Sequence, residues 1–182
     1  MDSSMKTSGQ GEASPIPTLR VLVPSPIGPL GLELAGLSVV RLQVAPKPAV
    51  LEEFKPLGRS AAPDEVDEVI GRLAEYFAGV RRSLDLDADL ALERVDAFDR
   101  RVLREVTRIP YGKTRTYREL AVLVGRSDGA DAVRSLLLEN PAPIVIPCHR
   151  VVLGGGKPGA WVGGSERKRW LLAMEREAHD EE

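Results

Sequence analysis

The stretch Ile144-Val-Ile-Pro-Cys-His-Arg-Val-Val152 sets three reactive side chains between two apolar runs. Apolar runs seek burial, so Cys148, His149 and Arg150 are expected at the edge of a core. A thiol becomes a nucleophile when a neighbouring base or positive charge favours its thiolate. His149 offers the base and Arg150 the charge. A buried, inert cysteine is the alternative, because free cysteine packs as a small hydrophobe. Cys148 is the sole cysteine, and His149 and His179 are the sole histidines. That count excludes an intramolecular disulfide and leaves too few ligands for a structural Cys/His zinc site. The expectation is thiol chemistry without a metal.

The elements that must hold this triplet follow from periodicity. Leu19–Val23, Leu30–Leu34 and Leu37–Val44 read as strands, the first two joined by a Pro- and Gly-containing turn at 24–29. Residues 46–63, with prolines at 46, 48, 56 and 63, read as a connecting loop. In the next helix Pro63 suits the first position, and Asp64, Glu65 and Asp67 suit the positive end of the dipole. Val66, Val69, Ile70, Leu73 and Phe77 form its inward stripe, and Gly79 its exit. Leu84–Leu90 alternates and reads as a short strand.

In the second half, Phe98, Val102, Leu103, Val106 and Ile109 form a helical stripe that ends at Pro110-Tyr-Gly112. Thr116-Tyr-Arg-Glu119 is a capping box opening a second helix, and Gly125 stops it. A third helix runs from Ala130 to about Leu138 and stops at Asn140-Pro141. Two short helices joined by a glycine-containing turn predict a helix-turn-helix, with a hairpin that touches no DNA as the alternative. Trp170, beside Leu171, is expected in the core, and His179 is assigned nothing.

The chain has 182 residues, 43% hydrophobic and 29% charged, which predicts one or two globular domains. No apolar run approaches the roughly 18 residues of a membrane span. Residues 1–17 are polar and read as a flexible tail without a signal-peptide core, so the expected location is cytoplasmic. The net charge of −2 argues by itself against nucleic acid. Its distribution argues the other way: net −4 over residues 1–95 and net +6 over residues 96–176. A basic second half fits a polyanionic partner, and an unevenly charged solvated surface is the plainer alternative.

Pro147-Cys-His-Arg-Val151, with Asn140-Pro141 upstream, resembles the O6-alkylguanine-DNA alkyltransferase family, the methylated-DNA–protein-cysteine methyltransferases. Ile109-Pro-Tyr-Gly112, Thr116 through Ala121, Gly163-Gly164, Lys168 and Leu171 through Glu175 fall in the family's order. The similarity covers roughly residues 96–176. It implies an α/β N-terminal domain (RNase H-like, a small sheet plus helix) over 18–92. A mostly α, winged helix-turn-helix-like domain follows over 93–177, between tails at 1–17 and 178–182. The implied activity is DNA repair by a suicide reaction: Cys148 takes the alkyl group of O6-alkylguanine irreversibly, with O4-alkylthymine a further candidate substrate. No cofactor is implied. The implied partner is double-stranded DNA, entered through the minor groove by a monomer with no membrane partner. The location would be beside the nucleoid in a bacterium or in the nucleus of a eukaryote.

By the same resemblance, His149 relays the Cys148 proton, Glu175 orients His149, and Asn140 organises the turn. Tyr117, Trp161, Val162, Lys168 and Val151 surround the base, while Arg150 ties the active-site strand to its surroundings. Thr116, Ala130, Asp131 and Arg134 meet DNA. Two positions depart from the family. Asp131 stands where an arginine usually fills the hole left by the flipped base, and a carboxylate there faces phosphate repulsion. Arg134, three residues on, is a candidate replacement cation with Asp131 as its intrahelical partner. Val162 stands where a serine is common. Three other readings stay open: a non-catalytic alkyl-base sensor, an acceptor with a non-duplex substrate, and a structural protein with an inert cysteine.

Overall fold

A computed structural model describes residues 17–56 and 64–180 of the chain. Apolar alternation produces the first three strands, β1 (Leu19–Val23), β2 (Leu30–Ala35) and β3 (Ser38–Val44), as an antiparallel meander. β2 lies at the centre and is buried along nearly its whole length. Leu30, Leu32 and Leu34 face the core. On the opposite face Glu33 is covered by its cross-strand partner Arg20, whose Nε lies 3.4 Å from Oε2.

Residues 46–56 hold more structure than a loop. Pro48 starts a single helical turn, α1 (Pro48–Leu51), and β4 (Lys55–Pro56) pairs parallel to β1, giving the sheet order β3-β2-β1-β4. Pro56, a residue without an N–H, is tolerated because β4 is an edge strand. The rest of the expected loop and the expected helix start at Pro63 lie outside the described residues, as does the expected tail at residues 1–16.

Helix α2 (Asp64–Phe77) packs on the sheet through Val66, Val69, Leu73 and Tyr76. Tyr76 therefore joins the buried stripe, while Phe77 is only partly buried. The expected strand over Leu84–Leu90 does not form. Asp85 takes a positive φ of 49°, and the Asp87 carboxylate accepts a hydrogen bond from the Asp89 N–H at 2.7 Å. Aspartates offering such local bonds compete with a strand ladder, and the segment turns into α3 (Asp89–Leu92).

The second half follows its caps. Asp96 caps α4 (Ala97–Thr107) by accepting from the Asp99 N–H. Thr116 and Glu119 form the capping box of α5 (Tyr117–Leu123), and Gly125, at φ 76°, ends it in the left-handed region. A turn then leads to α6 (Ala130–Leu138). β5 (Arg115–Thr116) and β6 (Val151–Val152) pair in parallel, which sets the start of α5 beside the end of the cysteine segment. α7 (Ser165–Asp180) closes the fold, and its backbone stays helical through 178–180, where a tail was expected. Trp170 is 39% exposed, against the expectation of a core residue. The buried stripe of α7 is Lys168, Leu171 and Glu175, and Trp170 lies off that face, packed obliquely on Phe77.

One apolar core runs through both halves. β3 joins them at its outer edge, where the Leu42 N–H donates to the Pro141 carbonyl at 2.9 Å. Among the described residues, no helix is long and apolar enough to cross a membrane. None of their His, Cys, Asp and Glu side chains cluster in threes that could hold a metal.

Gly31 tests the sheet packing. A Cβ there would lie 2.8 Å from the buried Phe54 ring. Gly31→Ala should therefore destabilise the protein by about 1–3 kcal/mol in urea titration through overpacking, and an unchanged midpoint would show that the ring can yield.

Candidate active site

The reactive triplet is a buried 3-10 turn, Cys148–Arg150, and not the exposed edge of a core. The turn is set up by Asn140. Its Nδ2 donates to the Ile146 carbonyl at 2.9 Å, and its Oδ1 accepts from the Ala142 N–H at 3.1 Å. Between them Ile144 sits at φ 79°, a costly conformation for a β-branched residue. The side-chain bonds of Asn140 offset that strain and aim Pro147 and Cys148 into the core.

At the centre is the Glu175 carboxylate, 1% exposed on α7. Arg150 grips it with Nε at 3.1 and 3.0 Å and with Nη2 at 2.9 Å, and also donates through Nη1 to the Ile109 carbonyl at 2.7 Å. The Gly112 N–H donates to Oε2 at 3.1 Å. His149 Nε2 lies 2.8 Å from Oε1. Burial disfavours the Glu175 charge, but the bonds and charges of His149 and Arg150 outweigh it and hold the carboxyl well below the usual range. An ionised carboxylate accepts only, so His149 donates through Nε2–H. Its other ring nitrogen, Nδ1, is buried and makes no hydrogen bond with the protein. That leaves the Nδ1 lone pair available to take a proton. Burial lowers the His149 pKa and Glu175 partly restores it, so the ring is neutral.

Cys148 is 1% exposed. The Trp161 indole Nε1–H donates to its Sγ at 3.1 Å. Burial pushes the thiol pKa up, and bonds from Asn140 and Trp161 and the Lys168 charge pull against it. Lys168 is fully buried, and its Nζ donates to the Val151 carbonyl at 2.6 Å, the Tyr117 hydroxyl at 3.1 Å and the Ala160 carbonyl at 3.3 Å. Burial brings its pKa down to about 8, with the Cys148 charge acting in the opposite direction.

Cys148, His149, Glu175, Asn140, Tyr117, Trp161, Lys168 and Val151 thus meet in one buried cluster. Val162 does not join it and is 40% exposed. The Thr116 side chain is engaged in its capping box, with Oγ1 2.8 Å from Glu119 Oε2. Asp131 and Arg134 are exposed on α6, and Ala130 is half-buried at its start. Among the described residues no ion pair joins Asp131 to Arg134, so the expected intrahelical pair does not form. The charge of Arg134 acts instead on Tyr117, whose pKa burial raises and Arg134 lowers.

Two residues carry more than the sequence reading assigned. Arg150 is a direct partner of the relay carboxylate. Tyr76, from α2, donates to Glu175 Oε1 at 2.6 Å and lies 3.3 Å from His149 Nε2. Its signal was present: Tyr76 falls three residues beyond Leu73 on the apolar stripe, and a hydroxyl on a buried stripe needs a partner.

Fold and site define a thiol-dependent transfer protein, with a base held ready beside a buried cysteine. The family model described as the 6-O-methylguanine DNA methyltransferase DNA-binding domain matches residues 97–177. The methylated-DNA–protein-cysteine methyltransferase of Mycolicibacterium paratuberculosis is 39% identical over 85% of this chain and 90% of its own length. The crystal structure of Mycobacterium tuberculosis OGT in complex with DNA superposes with a TM-score of 0.75 at 34% identity, over 87% of this chain and 93% of that one. The O6-methylguanine-DNA methyltransferase of Pyrococcus kodakaraensis, 23% identical with a TM-score of 0.60 over 86% of this chain and 99% of that one, shares the fold. The chain belongs to the methylated-DNA–protein-cysteine methyltransferase family, whose work is DNA repair by alkyl transfer.

Tyr76→Phe removes one donor from Glu175 Oε1 and keeps the ring. The carboxylate then acts undiluted on the imidazolium, so the His149 pKa should rise when followed by NMR titration. Stability should fall by about 1–2 kcal/mol. A His149 pKa that stays put or falls would contradict this coupling.

Proposed function

We propose that this chain accepts the alkyl group of O6-alkylguanine in duplex DNA on Cys148, once per molecule. The observation that carries this is the buried thiol beside a neutral imidazole whose Nδ1 is unengaged and whose Nε2–H is fixed on Glu175. Cys148 loses its proton to His149 through a bridging water, since Nδ1 makes no direct hydrogen bond with the protein, and Glu175 stabilises the imidazolium that results. The sulfur attacks the alkyl carbon as the carbon–O6 bond breaks, and the electron pair of that bond leaves with guanine. Tyr117 gives its hydroxyl proton to the departing base, which leaves as neutral guanine, and the phenolate regains a proton from Lys168, whose Nζ donates to it at 3.1 Å. The thioether has no proton to lose and no leaving group that water displaces at neutral pH, so the cysteine is spent. No step requires a cofactor.

A sulfur this deep in the protein does not reach a base inside a stack. The guanine must be flipped into the site, which costs a few kcal/mol of unstacking. In this reading α5 and α6 are the helix-turn-helix of a winged helix-turn-helix-like unit over 93–177. They meet the minor groove through Thr116, Ala130, Asp131 and Arg134, and an RNase H-like unit over 18–92 supports them. Val162 and Val151 border the base. Arg134 is the cation of α6, standing beside Asp131 where the family usually has an arginine. Arg134→Ala should weaken duplex binding and reduce its salt dependence by roughly one phosphate contact. Equal affinity at every salt concentration would remove Arg134 from the interface.

The direct test is intact mass after incubation with a duplex carrying O6-methylguanine, with Cys148→Ala as control. The expected result is a gain of one CH₂ unit, mapped to the Cys148 peptide and lost in the control. Transfer from single strands or O6-benzylguanine without transfer from duplex would favour a non-duplex substrate, the reading that Asp131 motivates. Silence with all three would overturn the function.

A further inference from the structure

We infer that Trp161 is a catalytic residue, its indole N–H holding the Cys148 sulfur as the thiolate forms. This rests on the reading of Cys148 as the alkyl acceptor, and it goes beyond a wall for the base. An indole nitrogen donates and never accepts, so the 3.1 Å contact between Nε1 and Sγ has one direction. A hydrogen bond to a neutral thiol is weak, whereas the same bond to a charged sulfur is charge-assisted and stronger. The contact therefore stabilises the developing thiolate more than the resting thiol, which is the property that lowers a barrier.

The surroundings make that bond matter. Sγ lies in a site that excludes water, with Cys148 1% exposed. A thiolate formed there has only protein donors to replace its hydration. Lys168 contributes its charge but spends its direct bonds on the Val151 and Ala160 carbonyls and on Tyr117. Trp161 touches the sulfur itself, and it shares that task with the Asn140 amide, whose Nδ2 also bonds the Ile146 carbonyl.

The ring is also locked in place before the reaction. It is 6% exposed, and the His149 imidazole meets it edge-on, with centroids 6.3 Å apart. Gly163 provides the room. A Cβ at that position would come within 2.3 Å of the indole six-membered ring and 3.0 Å of Val44. Glycine is thus required two residues after the tryptophan for the N–H to reach the sulfur, and the donor needs no reorganisation when charge develops.

The test compares the wild-type chain with Trp161→Phe, which keeps an aromatic wall and deletes the donor. The first readout is the pH dependence of iodoacetamide alkylation at Cys148, located by peptide mass. The second is the rate of transfer from O6-methylguanine duplex. The variant should titrate about one pH unit higher and transfer roughly tenfold more slowly at neutral pH. An unchanged titration would overturn the proposal and leave Cys148 as acceptor untouched. The expected titration shift, with no transfer from DNA by either protein, would keep the hydrogen bond and overturn the function on which its catalytic role depends.

A second measurement does not depend on the variant folding. The chain has two tryptophans, so two indole N–H signals are followed by NMR and assigned with Trp170→Phe. The Trp161 signal should titrate with the Cys148 thiol and lose that titration in Cys148→Ser, while the Trp170 signal stays flat. A Trp161 signal that ignores the thiol would overturn the proposal.

Discussion

The buried carboxylate of Glu175 is the constraint on which the rest of the structure turns. A lone ionised carboxylate at 1% exposure would cost several kcal/mol, so the fold must bring it partners. Those partners come from distant parts of the chain. Tyr76 arrives from α2, the Gly112 N–H from the turn after α4, and His149 and Arg150 from the 3-10 turn. Arg150 in turn holds the Ile109 carbonyl at the end of α4. One charge thus ties three segments to α7. The imidazole cannot rotate without breaking its bond to Oε1, and this fixes the tautomer that leaves Nδ1 available.

The same site divides its protons by environment. Burial pushes the Cys148 thiol up and the His149 imidazole down, so both start neutral. An ion pair between them is therefore disfavoured at rest. In the proposed reaction the groups touching the sulfur and the imidazole then decide the rate. Burial brings the Lys168 pKa down to about 8, and its Nζ donates to the Tyr117 hydroxyl.

Much of this was legible in the sequence. Helix α4 is legible through its apolar stripe, α5 through a capping box and a glycine stop, and α6 through its stop at Asn140-Pro141, all local signals. That His149 and Glu175 belong to one site was legible only through the family resemblance, because 26 residues separate the imidazole from its carboxylate. What could not be read has a common cause in tertiary context. The Leu84–Leu90 alternation suggested a strand because apolar periodicity says nothing of aspartates capping their own neighbours. Tyr76 lost its place to Phe77 because both fit a helical stripe, and only the facing carboxylate distinguishes them. Trp161 was read as a wall. The direction of its N–H depends on the space left by Gly163, a property of the packed chain.

The departures from the family fall where physics permits them. Asp131 and Arg134 are exposed, and charges there act through water and salt that reduce each to about 1 kcal/mol or less. In the proposed reading, an acidic residue on α6 changes how firmly DNA is held and leaves the fold intact. Inside the site the scale differs, since removing one partner of a buried ion pair costs about 3–5 kcal/mol. Val162 is also exposed, and a lost hydroxyl there leaves no buried group unpaired. On the proposed function, chemistry and recognition are thus set by different terms: the buried site by low-dielectric geometry that tolerates little, the proposed DNA face by a sum of screened charges that single substitutions shift only in part. A chain can therefore keep the transfer reaction intact while its preference among DNA substrates drifts.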